Sequence, residues 1–282
     1  MNDSKDIHSS NTLVSYCIPS FNHAKYLPKL LDVIIDEATQ LDFLYEIVIL
    51  DDGSTDDTRS VLKPYCNVKN LNILYFENVG VSKNLNRIKQ YTTGIWIRLI
   101  ASDDLIVKGS TIKMINAAKE NTLCVVADGN VIDESDNIIF QSLIEYHGGS
   151  KSKLRNKLTL PYEFISNYSL AGPCLLINRK VYDFYQYDEK SLIDDFDFFV
   201  SLLIYDKNCI DYVDENVCKY RIHGNNSSKS TDVNRRILNQ KSMLMLVNKF
   251  LKCNQFKCHF IKMKFVITLK IVFLNIIKIF KL

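Results

Sequence analysis

The chain has 282 residues, 47% hydrophobic and 24% charged, an ordinary globular balance that excludes wholesale disorder and leaves room for one large domain or two small ones. Its net charge of +3 hides an asymmetry. Residues 233–282 carry eleven Lys and Arg and no acid, which leaves 24 basic residues against all 32 acidic ones elsewhere, a net of −8. Such a tail is expected to meet something anionic.

Residues 1–11 are polar and read as a frayed end. Leu13 to Ile18 is an apolar run stopped by Pro19, as in a buried strand, and Ser20-Phe21-Asn22-His23 makes the turn. Tyr26, Leu27, Leu30, Leu31, Ile34 and Ile35 recur at helical spacing. A second strand, Tyr45 to Leu50, runs into Asp51-Asp52-Gly53-Ser54-Thr55-Asp56-Asp57. There Gly53 permits a tight turn, and Ser54 to Asp57 supply N-cap chemistry for a helix carrying Val61 and Leu62. A third strand, Asn72 to Phe76, ends in Glu77-Asn78-Val79-Gly80, and a helix with Leu85 and Ile88 follows.

The fourth strand, Gly94 to Ile100, leads through Ala101 and Ser102 into the adjacent carboxylates Asp103 and Asp104. Asp alone is favoured in turns and at helix caps. Strands alternating with helices, however, predict a parallel, doubly wound α/β sheet, in which ligands bind beyond the carboxyl ends of the strands. Asp51, Asp52, Asp103 and Asp104 all fall at that edge, and such convergence points to a divalent metal or a hydroxyl-rich ligand.

A helix around Ile112, Met114 and Ile115 precedes a strand, Leu123 to Ala127, expected to end at Asp128. Asn130 to Phe140 reads as a hairpin turning at Glu134 to Asn137, so the sheet should become mixed near residue 130. Residues 141–169 read as irregular, with His147 to Lys153 a mobile loop. Cys174 to Asn178 is a strand, followed by a helix near Val181 and Phe184. In Ile193-Asp194-Asp195-Phe196-Asp197, Asp194 or Asp195 caps a helix whose buried side holds Phe198, Phe199, Leu202 and Leu203. Acids there suit the helix dipole, and the same placement would fix a general base. Tyr220-Arg221-Ile222-His223-Gly224-Asn225-Asn226 closes the acidic part, with its histidine on a polar loop.

Taken in order, Cys17 to Asn22, Ile49 to Asp56, Glu77 to Asn84, Ser102-Asp103-Asp104 and Asp194 to Asp197 make the chain resemble the GT-A fold glycosyltransferase family 2, of the bacterial surface-polysaccharide type. The likeness covers about residues 12–226, and the Asp51 to Thr58 segment is its most specific part. It implies a GT-A catalytic domain over 12–230, with a nucleotide-sugar half of about 12–128 and an acceptor half of about 129–230. It further implies inverting transfer from a nucleotide-sugar to a hydroxyl of a glycan acceptor, lipid-linked, in cell-surface polysaccharide synthesis. On this resemblance Pro19, Ser20, Asn22 and Asp51 or Asp52 lie along the base and ribose, and Lys83 contacts the nucleotide. Asp103 faces the ribose and donor, while Asp104 holds Mn2+ or Mg2+, with His223 reaching the metal or diphosphate from the other side. Asp195 is the base. Many relatives have Asp where this chain has Ala101, leaving Asp103 and Asp104 to do the metal work.

A sugar nucleotidyltransferase would want a Gly-rich phosphate loop after the first strand, and this chain offers Pro19 to His23 instead. A catalytically inactive nucleotide-sugar-binding protein tethered to the membrane would be signalled by missing carboxylates, and Ala101 is the sole departure.

The tail, residues 231–282, divides into a helical stretch through Leu251 and a segment from about Phe256. On a helical wheel Phe265, Val266, Leu269, Val272, Phe273, Ile276, Ile277, Ile279 and Phe280 form one face, opposite Lys264, Thr268, Lys270, Asn275, Lys278 and Lys281. The uncharged run Ile271 to Ile277 is far short of the ~20 residues that span a bilayer. Residues 256–282 are therefore expected to lie on an anionic membrane surface, with packing on the protein or in an oligomer as the other reading. The nonpolar face is too broad for nucleic-acid binding. Eight cysteines without a CxxC pair, and no apolar signal core in the first 23 residues, point to a reducing cytoplasm and the inner face of the cell membrane.

Overall fold

A computed structural model describes residues 14–167, 172–224 and 232–280. Residues 1–11, Leu13, Lys281 and the Asn225-Asn226 end of the last motif lie outside the described residues. The first half alternates as read from the pattern: β1 (Val14–Ser20), α1 (Leu27–Ala38), β2 (Tyr45–Asp51), α2 (Thr58–Leu62), β3 (Leu71–Tyr75), α3 (Val81–Asn86), α4 (Ile88–Tyr91) and β4 (Trp96–Leu99). There follow β5 (Leu105–Ile106), α5 (Ser110–Ala117), β6 (Cys124–Ile132), β7 (Ile138–Phe140), α6 (Leu143–Tyr146), α7 (Lys151–Arg155), α8 (Leu160–Ser166) and β8 (Leu175–Asn178). The chain then forms α9 (Asp194–Tyr205), β9 (Ile210–Arg221), α10 (Val233–Phe250) and α11 (Lys257–Phe280).

Among the described residues the strands make one sheet in the order β3-β2-β1-β4-β8-β6-β9-β5, with β7 beside β6. β1, β2, β3 and β4 are parallel, and their register sets Ser20 opposite Asp51 and Asp51 opposite Tyr75. Side chains alternate across the sheet, so β1 and β2 feed two cores. Val14, Tyr16, Ile18, Ile47 and Ile49 meet Leu27, Leu30, Leu31 and Ile34 of α1, whereas Cys17, Val48 and Leu50 meet Ile88 and the phenylalanines of α9. Gly53 has φ +77°, and a Cβ there would lie 2.7 Å from the backbone nitrogen of Asn78. Only glycine lets the β2 and β3 loops approach this closely.

The second half differs from the sequence reading in specific ways. Antiparallel pairing enters before residue 130, through β5 on β9 and through β8 between β4 and β6. β6 does not stop at Asp128 but runs nine residues, every one of them buried, with its register shifting on either side of Asp128. The Asp128 carboxylate accepts Ser142 Oγ–H at 2.6 Å and the N–H groups of Gly129 and Ile144, so a turn-like residue is satisfied inside a strand. The hairpin is as expected, with Asp133 to Asn137 between β6 and β7. Residues 141–167 form three short helices rather than an irregular stretch. The expected mobile loop is tied down: Lys151 lies 3.1 Å from Asp128 and 3.0 Å from Asp214. Near Val181 the helix is a 3-10 turn, Arg179–Asp183. Ile193, not Asp194 or Asp195, occupies the α9 cap, and the acids sit in its first turn.

The tail helices fall where the sequence placed them, and they join the core. Leu246, Val247 and Phe250 of α10 and Phe260 and Ile267 of α11 belong to the same buried cluster as Phe196, Phe198 and Phe199. Among the described residues no helix is long and apolar enough to cross a membrane.

Candidate active site

The site forms where β1, β2 and β4 end together. The Ile100 N–H donates to the Cys17 carbonyl, continuing the β4 ladder, and the Asp104 N–H then closes a turn on the Ala101 carbonyl. This turn presents Asp103 to two histidines. His223 Nε2 lies 2.9 Å from Asp103 Oδ2, and His23 Nδ1 lies 4.0 Å from Asp103 Oδ1. His23 comes from the loop after β1, and its Nδ1 also meets Ser102 Oγ at 2.7 Å. His223 arrives just beyond β9, which the β5–β9 pairing of Leu105 with Lys219 anchors beside the turn. Tyr26 packs its ring 5.4 Å from that of His223, and the Arg221 guanidinium covers Tyr26 at 4.8 Å.

Two neighbouring carboxylates would repel if both were ionised. The fold separates them. Burial works against the charged form of Asp103, but the hydrogen bond from His223 and the nearby His23 hold its carboxyl below the usual range. Asp104 is 1% exposed and turned inward, where its Oδ1 accepts the Arg221 N–H at 2.7 Å. Burial first, and the charge of Asp103 second, push Asp104 well above the usual range. Burial also pushes His23 below the usual imidazole range, outweighing the pull of Asp103. The fold thus pushes the two acids in opposite directions, Asp103 towards its charged form and Asp104 towards its neutral one, with His23 pushed towards its neutral form.

The expected metal pair was Asp104 and His223, with Asp103 on the ribose; the geometry departs from that pairing. The carboxylate next to His223 is that of Asp103, because the turn points successive side chains in opposite directions. The ligand atoms of His23, Asp103 and His223 all lie within 4.8 Å of one another.

Other expected residues hold the loops of this edge together. The Asp51 carboxylate accepts the N–H and the hydroxyl of Ser54, bracing the loop after β2. Asp52 accepts the N–H groups of Val79 and Gly80 and pairs with Arg87 at 3.2 Å, fixing the loop after β3. Asn22, at φ +55°, accepts the Thr55 N–H at 2.7 Å and ties the β1 loop to the β2 loop. Through these contacts the three link the loops after β1, β2 and β3. Pro19 is half-buried on the same edge. Ser20 is 3% exposed, and its Oγ has no hydrogen-bond partner among the described residues. Lys83 is half-exposed and pairs with Glu189 at 3.6 Å.

Asp195 is half-buried in the first turn of α9. The Ser82 hydroxyl, in the first turn of α3, donates to the Ser191 carbonyl at 3.5 Å, which places this segment over the same carboxyl edge. Its neighbours have other assignments. Asp197 is fully buried against Lys249 and Tyr185, and burial pushes Asp194 above the usual carboxylate range.

The sequence reading missed His23, Tyr26, Ser102 and Arg87. His23 carried a signal of the kind used for His223, a histidine among polar residues just past a strand end. Arg87 carried none, since helical lysines and arginines are most often solvated.

The model for glycosyl transferase family 2 matches residues 15–185, more than half of the chain. The chain belongs to glycosyl transferase family 2. Among curated relatives of this family-2 glycosyltransferase, the abequosyltransferase RfbV of Salmonella typhimurium is 34% identical over 102 residues, covering 35% of this chain and 30% of the relative. The match thus spans under a third of that protein. Among solved structures, TarS 1-349 of S. aureus in complex with UDP-GlcNAc aligns at a TM-score of 0.64 and 19% identity, covering 90% of this chain and 70% of the other. The mannosyltransferase PcManGT of Pyrobaculum calidifontis, in complex with GDP-Man and Mn2+, aligns at a TM-score of 0.64 and 14% identity, also with 90% and 70% coverage. These likenesses show the GT-A fold.

Proposed function

We propose that this protein is an inverting glycosyltransferase that moves a sugar from a nucleotide-sugar to a hydroxyl of a glycan acceptor. The observation that carries the reading is the grouping of Asp103, His23 and His223 at the carboxyl edge of the parallel strands, where β1 also ends in the buried Ser20 hydroxyl, unpartnered among the described residues. An orphaned buried hydroxyl is costly in isolation, and a nucleotide's polar groups would satisfy it. Two imidazole nitrogens and one carboxylate fit a divalent cation, and the imidazoles favour Mn2+ over Mg2+, which prefers oxygen ligands. Asp103, His223 and His23 would hold it, and when bound it would supply positive charge to the leaving diphosphate. Pro19, Ser20 and Lys83 bind the nucleotide. Asp195 accepts the acceptor's proton as the hydroxyl attacks the anomeric carbon from the face opposite the nucleotide, which inverts the configuration.

The acceptor is a lipid-linked glycan in cell-surface polysaccharide synthesis, and the enzyme works as a peripheral protein on the inner face of the cell membrane. The supporting observation is on α11, where Phe265, Leu269, Val272, Phe273 and Ile279 are all more than half exposed and Lys257, Lys262, Lys264, Lys270 and Lys278 of the same helix are exposed too. An exposed apolar stripe on a lysine-bearing helix suits an anionic interface.

A thermal-shift screen of UDP-GlcNAc, UDP-glucose, GDP-mannose and their free diphosphates, each with and without Mn2+, tests the donor site. A ligand at 100 times its Kd adds about 2.7 kcal/mol of apparent stability. One nucleotide-sugar is expected to stabilise the full chain in a Mn2+-dependent way, and no shift with any of them would overturn the reading. In transfer assays with the selected donor, Asp195→Asn is expected to keep donor binding and lose activity by about 10²–10⁴-fold.

A further inference from the structure

α10 sits in the basic tail, outside the residues matched by the family model. It nevertheless grips the acidic turn of α9. Lys249 Nζ lies 2.7 Å from Asp197 Oδ1, and Asp197 is fully buried, with Oδ2 accepting the Tyr185 hydroxyl at 3.3 Å. Seven residues earlier on the same helix, the buried Ser242 Oγ accepts the Leu192 N–H at 2.9 Å and lies 3.3 Å from Ser191 Oγ. Ser191 Oγ in turn accepts the Ile193 N–H at 3.0 Å. Next to Lys249, Phe250 meets Phe196 edge-on, with ring centroids 6.4 Å apart. The segment from Ser191 to Asp197 is therefore held at both ends by α10, and Asp195 lies between the holds.

We propose that α10 is a positioning element of the transfer site, in which Lys249 and Ser242 fix the height and rotation of the turn that carries Asp195. The proposal rests on the reading of Asp195 as the base. Neither residue touches substrate. Both act through the turn, since a buried carboxylate with one committed cation leaves α9 little freedom to rotate. A proton acceptor displaced by about 1 Å loses on the order of 10²-fold in rate with little change in donor affinity, because donor contacts lie on the β1–β4 edge.

The test uses the full-length chain, Mn2+ and the nucleotide-sugar that gives the largest thermal shift, with kcat and KM measured for transfer or, without an acceptor, for donor hydrolysis. Lys249→Met leaves the buried Asp197 charge unpaired and is prone to fail in folding. The informative variants are therefore Ser242→Ala and the double variant Asp197→Asn with Lys249→Met, in which both charges are removed together. Each is expected to lower kcat about tenfold or more while donor KM stays within about twofold. Lys249→Arg keeps a cation beside the buried Asp197 and is expected to hold kcat within about threefold of wild type. Folded variants with unchanged kcat, alongside an inactive Asp195→Asn, would overturn the positioning role. A fully active Asp195→Asn would instead overturn the base assignment beneath it.

Discussion

The side chains of Asp103 and Asp104 leave the backbone one residue apart, and their surroundings make them different acids. Asp103 meets His223 at 2.9 Å, while Asp104 faces the Arg221 N–H from a site 1% exposed. The consequence is testable by single amide substitutions. Asp103→Asn removes the charged member of the histidine cluster and is expected to abolish Mn2+-dependent stabilisation and lower transfer by about 10²-fold or more. Asp104→Asn keeps an oxygen for the Arg221 N–H at a position turned inward from the histidines, so Mn2+ response and transfer rate are expected to stay within a few-fold of wild type. Equal losses in both variants, read by calorimetry and turnover, would return Asp104 to the metal site. The sequence showed that this pair ends a buried strand. It was silent on which acid faces the cleft, because that depends on partners more than a hundred positions away in β9.

At the scale of elements, α11 illustrates how a wheel drawn on one helix can merge two surfaces. Phe260, Ile267 and Leu274 recur every seven residues and are buried, with Met263 and Ile271 partly buried beside them. Phe260, Ile267, Met263 and Ile271 join the core on the side where the wheel gathered the lysines. The opposite stripe, with Phe265 at 66% and Phe273 at 61% exposure, is the one the wheel identified. Aspartate at Phe265 and Phe273 is expected to leave the melting temperature near wild type and to weaken binding to vesicles rich in phosphatidylglycerol at least tenfold, given about 1.5–3 kcal/mol for each large apolar side chain buried. Leu274→Ala is expected to cost about 2–5 kcal/mol of stability, measured by denaturant unfolding. Vesicle binding indifferent to the paired aspartates would refute the interfacial role of the stripe.

Across the whole molecule, β9 is tied to the α7 region by carboxylates whose pKa values are depressed. Asp211 is 5% exposed; burial opposes its charge, but hydrogen bonds from Lys157 and Thr122 hold it below the usual carboxylate range. Asp214 is held down likewise by Arg155, Lys151 and Tyr212. For an acid depressed in the folded state, the unfolded chain binds more protons as pH falls, so the contribution is complete above the unfolded value of about 4 and is lost below it. The difference in melting temperature between wild type and Asp211→Asn is expected to be largest near neutrality and to shrink as pH falls towards 3. A difference independent of pH would show that Asp211 acts only through packing. Within residues 147–153, the stretch expected to be mobile, Lys151 likewise reaches acids on two strands.

The sequence alone determined the parallel half of the sheet, the carboxyl edge as the candidate site, the family, and the two tail helices. Those rest on short-range regularities: apolar periodicity, Asp and Gly at strand ends, and motifs confined to a few residues each. Only the tertiary structure decided that Asp103 rather than Asp104 meets His223, that His23 joins them, that Asp51, Asp52 and Asn22 brace loops, and that Lys249 grips the turn bearing Asp195. Each of these is a contact between segments distant in sequence. A carboxylate's role follows from which donor or charge the fold sets against it, and adjacent residues in a turn face different partners.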